Sequence, residues 1–160
     1  TGEYSSHTLK TPENLCASCH GTKYTKEMVQ EITAHLLSLL RSKVNARVLA
    51  VRDRIKTVRA YNPDTGQFTP NTPVKAPVYR VDITSIAGQI AFKMTLTDGS
   101  VLYSQLGDIR DEKGQPVFPT KDPIVRASWN YLLLENDGSK GVHNPTYTRA
   151  VLLATLNALQ

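Results

Sequence analysis

The chain has 160 residues, 40% of them hydrophobic and 21% charged, with a formal charge of +5. That size allows one domain with a real core, and the composition is that of a globular protein rather than a disordered or collagen-like one. No apolar run nears the ~20 residues of a membrane-spanning helix, and no basic run interleaved with aromatics suggests nucleic acid as a partner.

Residues 1–24 read as a polar, irregular lead-in. It opens Thr-Gly-Glu-Tyr-Ser-Ser, without the basic start and apolar segment of a secretory signal, so an exported protein would be expected in processed form. Both cysteines of the chain fall within Cys16-Ala17-Ser18-Cys19-His20. A disulfide across so short a loop would gain little. A four-thiolate zinc site needs a second cysteine pair, and a thioredoxin-like pair should follow a strand in a βαβ unit. A redox pair or a partial zinc site remains as an alternative. The pattern Cys-x-x-Cys-His fits covalent haem attachment best: the two thiols match the two vinyl groups on the ring edge, and the adjacent imidazole falls under the iron. Cys16 and Cys19 are thus the predicted attachment residues of one haem c, and His20 its proximal ligand.

From Thr25, a plausible N-cap, the spacing of Met28, Ile32, His35, Leu36 and Leu39 predicts a helix. Val44, Val48, Val51, Ile55 and Val58 prolong the pattern, and no Gly or Pro interrupts Thr25 to Tyr61. One long helix over 25–61, or two joined near Ser42 to Asn45, would satisfy it. So long a helix would need something beyond a small domain to cover it. Arg41, Lys43, Arg47, Arg52, Arg54, Lys56 and Arg59 form the densest basic group, either a solvated helix face or a docking surface for an acidic redox partner.

Residues 62–120 read as an irregular or β segment. Pro63, Gly66, Pro70, Pro73 and Pro77 mark a loop. Alternation in Tyr79-Arg80-Val81-Asp82-Ile83 suggests strand, and Asp98-Gly99 suggests a hairpin turn; a short helix around Ile86 to Met94 competes. Over 121–160 two helices are expected, opened by Asp122-Pro123 and by Asn144-Pro145 and separated by Asn136-Asp137-Gly138-Ser139. The expected fold class is mainly α, with a small β or irregular middle segment, a long helix after the motif and two C-terminal helices, in a single domain over 1–160.

The sixth position on the iron decides what a haem does: a strong ligand suits electron transfer, an open site suits gas binding or catalysis. Met28, on the apolar helix face, reads as core, and Met94 sits in an apolar alternating segment. His35 is placed on the inner side of the long helix, where core packing is the usual role. His143 differs, because its glycine-containing loop between two helices lets backbone approach a flat ligand closely. His7, in a Ser/Thr-rich stretch, reads as solvent-exposed or as a ligand from a lead-in folded over the haem. Asp98-Gly99-Ser100 and Asp137-Gly138-Ser139 are turns rather than nucleophile elbows.

The stretch Trp129 to Leu153, containing Asn136-Asp137-Gly138-Ser139-Lys140-Gly141-Val142-His143-Asn144-Pro145, resembles the C-terminal portion of multihaem c-type cytochromes of the group related to ammonia-forming nitrite reductase and the octahaem cytochromes. That resemblance implies bis-histidine ligation through His20 and His143, with His143 able to serve a different haem from the one on Cys16 and Cys19. It does not extend to residues 62–120, nor to the catalytic motifs of nitrite reductases. A single haem motif, where the group has several, implies a C-terminal piece or a subunit of a larger assembly. The expected function is electron transfer, within a multihaem assembly or filament joined by inter-chain ligation through His7 or His143. A haem enzyme subunit or gas sensor with an open sixth site is the alternative. Haem ligation outside the cytoplasmic membrane implies a periplasmic or extracellular location and a redox protein as partner.

Overall fold

The computed structural model describes residues 25–160. Helix α1, Lys26–Ala50, is capped by Thr25, whose hydroxyl accepts from the Met28 N–H. A 3-10 turn, Arg52–Arg54, follows. Six strands come next: β1 Thr57–Asn62, β2 Gln67–Pro73, β3 Val78–Ile86, β4 Gln89–Leu96, β5 Val101–Gln105 and the short β6 Ile109–Arg110. Helices α2, Pro123–Glu135, and α3, Pro145–Ala158, complete the chain.

The strands form one sheet in the order β2-β1-β5-β4-β3, with β6 also pairing with β1, and all pairings are antiparallel. This corrects the expected mainly α class: among the described residues a six-stranded sheet makes one layer and three helices the other.

The long helix over 25–61 is corrected as well. Val51, Ile55 and Val58 keep helical spacing, yet the helix stops at Ala50 and β1 begins at Thr57. Ile55 and Val58 are both buried, but as part of the sheet. Val58 stands opposite Thr72 on one side and Ile109 on the other, so β1 has ladder partners on both edges. Two ladders outweigh a weak helical preference in a β-branched stretch. The basic group is therefore divided, with Arg41, Lys43 and Arg47 on α1, Arg52 and Arg54 in the 3-10 turn, and Arg59 on β1.

Local chemistry places the hairpins. Ala87 and Gly88 take left-handed φ values of 50° and 75° in the two-residue turn between β3 and β4. Asp98 Oδ1 accepts from the Ser100 N–H and hydroxyl at 2.9 and 2.6 Å, and Gly99 takes φ 85° between β4 and β5. The short helix considered around Ile86 to Met94 is instead this β3–β4 hairpin.

The core lies between sheet and helices. Leu40, Val44 and Val48 of α1 meet Val81, Phe92 and Met94 of the sheet, with Ile124 and Ala127 of α2 and Leu152 and Leu156 of α3. Phe92 packs edge-on against Phe118, ring centroids 5.7 Å apart. One polar tie fixes α1 on the sheet: Asn45 Oδ1 accepts from the Val81 N–H at 2.9 Å, beside the register shift between Val78 and Arg80.

Candidate functional site

Cys16, Cys19, His20 and His7 lie outside the described residues. The described imidazoles are His35 and His143, and their surroundings decide what each could hold.

His143 sits in the connection between α2 and α3, and the residues before it are held by Asp137. Its carboxylate accepts from the Ser139 hydroxyl at 2.7 Å, the Ser139 N–H at 3.1 Å and the Gly141 N–H at 3.3 Å. The Ser139 hydroxyl holds this carboxyl below its ordinary value of 3.8; partial burial opposes that, while the two backbone N–H groups and the nearby His143 reinforce it. Lys140 and Gly141 then take φ values of 49° and 83°, reversing the chain. Gly141 is also wedged between helices: a Cβ there would stand 2.8 Å from Thr33 Oγ1 of α1 and 3.0 Å from Thr148 Cγ2 of α3. Val142 is buried and His143 emerges exposed. Asn144 then caps α3, its side chain accepting from the Tyr147 N–H at 3.1 Å, with Pro145 in the first turn. An exposed imidazole on a backbone fixed at both ends is a ready donor to a metal held from outside.

His35 differs from its expected placement. It is exposed rather than packed on the inner side of α1. Met28, expected in the core, is likewise 45% exposed. Met94, weighed as a ligand, is fully buried in β4 opposite Val81 and Leu102, which leaves its sulfur no access to a haem. The reason is angular. At about 100° per residue, Val29, Leu36, Leu40 and Val44 point to the core, while Met28, Ile32, His35 and Leu39 form a second stripe whose centre is about 100° away, with Ile32 at the border packed against the core. A sequence in which two apolar stripes share one helix reads as a single wide one. Sorting the positions by angle would have separated them.

The residues present suit a haem as donors: two exposed imidazoles, one on a fixed loop and one on an apolar stripe. No family model, curated protein or solved structure matches this chain. No helix among the described residues is long and apolar enough to cross a membrane.

Proposed function

We propose that the chain carries electrons by means of one covalently attached haem c. The carrying observation is Cys16-Ala17-Ser18-Cys19-His20 in a chain with no other cysteine. Each thiol would add across one vinyl C=C, sulfur bonding to one carbon and the thiol hydrogen passing to the other, so attachment needs no oxidant. His20 would supply an imidazole to the iron. Bound in this way, the haem would supply a one-electron ferric/ferrous couple, with a redox protein as the partner in exchange.

His143 supports the reading from the other end of the chain, as an exposed imidazole on a loop anchored by Asp137 and Gly141. It would serve as a distal ligand, to its own haem or to that of a neighbouring chain; His7 is the second candidate. Two imidazoles on one iron favour low-spin electron transfer over catalysis. The group suggested by the resemblance, multihaem c-type cytochromes, belongs to the same proposal, as do self-association through shared ligands, a redox protein partner and a periplasmic or extracellular location, where haem is ligated to thiols.

The test is maturation of the full chain in cells that attach haem c. The expected result is a protein that keeps its haem after denaturation and acid–acetone extraction, with a low-spin absorption spectrum that switches on reduction. Loss of the haem on extraction, or failure of Cys16→Ala/Cys19→Ala to abolish retention, would overturn covalent attachment. A high-spin ferric spectrum with rapid carbon monoxide uptake would favour the gas-sensing or enzymatic alternative.

A further inference from the structure

Helix α2 buries Ile124, Ala127, Ser128 and Tyr131 and leaves Arg126 and Trp129 outside. These two lie one turn apart on the same flank, about 60° round the helix and about 4.5 Å along it. Trp129 is 47% exposed, a large apolar ring at the surface of a helix whose inner face is filled. Together with Gln89, the first residue of β4, and Gln105, the last of β5, they line a cavity of about 510 Å³. Its floor is made by Ile90, Leu106 and Phe118, all buried. Phe118 is held there by its edge-on contact with Phe92. Gln105 Nε2 donates to the Ile86 carbonyl at 2.9 Å, which anchors the amide to the β3–β4 hairpin and leaves its oxygen as an acceptor.

Among the described residues that line this cavity, Arg126 is the one charged side chain. It makes no ion pair with another described residue. Asp122, one turn before it on α2, is engaged elsewhere: its carboxylate accepts from the Ile124 N–H at 2.9 Å and stands 3.6 Å from Arg47 Nε. A guanidinium presents a planar fork of donors that matches a carboxylate through two parallel hydrogen bonds. The cavity thus joins one cation, an indole wall and an apolar floor, with no carboxylate in its lining to repel a negative ligand. Its volume lies within the range of about 300–1,000 Å³ usual for small-molecule sites. The adjoining cavity, about 770 Å³, shares Thr120 and Arg126 but adds Lys121 and Asp122, and those mixed charges select no one ligand class.

We propose that the smaller cavity binds a small aromatic carboxylate. Arg126 takes the carboxylate in a bidentate pair, Trp129 stacks on the ring system, and Ile90, Leu106 and Phe118 cover its inner edge. A single guanidinium suits a monoanion better than a doubly charged phosphate ester, and the indole favours a flat body over a branched aliphatic one. The site is built within residues 89–129, so it stands apart from haem attachment and from His143.

The probe is naphthoate, titrated into the full chain by isothermal calorimetry, with naphthalenemethanol as its uncharged counterpart. Trp129 is the single tryptophan of the chain, so its indole N–H gives one resonance in a proton–nitrogen correlation spectrum that reports this site alone. That resonance should shift with naphthoate and saturate along with the calorimetric isotherm. The alcohol should bind at least about tenfold more weakly, and Arg126→Gln should lower naphthoate affinity by a similar factor. Trp129→Ala should weaken both probes alike. Lys121→Gln, in the adjoining cavity, should leave affinity unchanged, which separates the guanidinium from general positive charge. An unmoved indole resonance, equal affinity for acid and alcohol, full affinity in Arg126→Gln or an equal loss in Lys121→Gln would each overturn the proposal. The first two outcomes are read on the unmutated protein and so do not depend on any variant folding.

Discussion

Gly141 shows how much a single residue carries in this protein. Its φ of 83° suits a residue without a Cβ, and Thr33 and Thr148 close the space a methyl would need. Gly141→Ala is expected to cost about 2–4 kcal/mol, combining left-handed strain with overpacking. A lower urea midpoint at unchanged slope would show it; an unchanged midpoint would mean the loop is not clamped. Asp137 adds a pH dependence. Its folded pKa lies below the ordinary 3.8, so its contribution to stability is fully present above that value and fades as pH falls through the folded pKa. Acid titration below pH 3.8 should therefore loosen the His143 loop, seen as faster amide exchange at Gly141, and Asp137→Asn should show the looser loop already at neutral pH. Ala87 offers the reverse case. At φ 50° it occupies a turn position that Asn tolerates better, and Ala87→Asn is expected to raise stability by about 0.5–1 kcal/mol, read from thermal unfolding.

Among the secondary elements, the helix starts are the most locally determined. Asp122 accepts from the Ile124 N–H at 2.9 Å, Pro123 occupies the first turn, and the same carboxylate stands 3.6 Å from Arg47 Nε of α1. Asp122→Ala removes a cap worth about 1 kcal/mol and a partly exposed ion pair worth at most about 1 kcal/mol more. Measured in a double-mutant cycle with Arg47→Ala, the coupling should be the smaller part of the loss. The strand β1 behaves differently. Nothing between Ala50 and Thr57 contains a Gly or Pro to halt a helix, and Val51, Ile55 and Val58 retain its spacing. The element is β because β2 and β6 lie on either side of it, partners contributed by residues 67–73 and 109–110.

For the whole molecule, the sheet and the helical layer stabilise one another through a shared core. Phe92 is fully buried at their junction, and Phe92→Ala is expected to cost about 3–5 kcal/mol and to lower the stability of helices and sheet together in one cooperative transition. Separate transitions for the two layers would show that they fold independently. The sequence by itself determined the features whose chemistry is local. The caps at Thr25, Asp122 and Asn144, the Asp98-Gly99 turn and the exposed loop at His143 all stand where hydrogen bonds within a few residues put them. The haem motif is equally local in its chemistry, and its meaning remains with the proposal it supports. Tertiary structure alone decided the rest. It made 57–62 a strand, because ladder hydrogen bonds depend on chain segments far away in sequence. It also turned Met28, His35 and Leu39 away from the core shared with the sheet, because the direction an apolar stripe faces is set by which neighbouring layer covers it, and among the described residues the layer that receives α1 meets its other stripe.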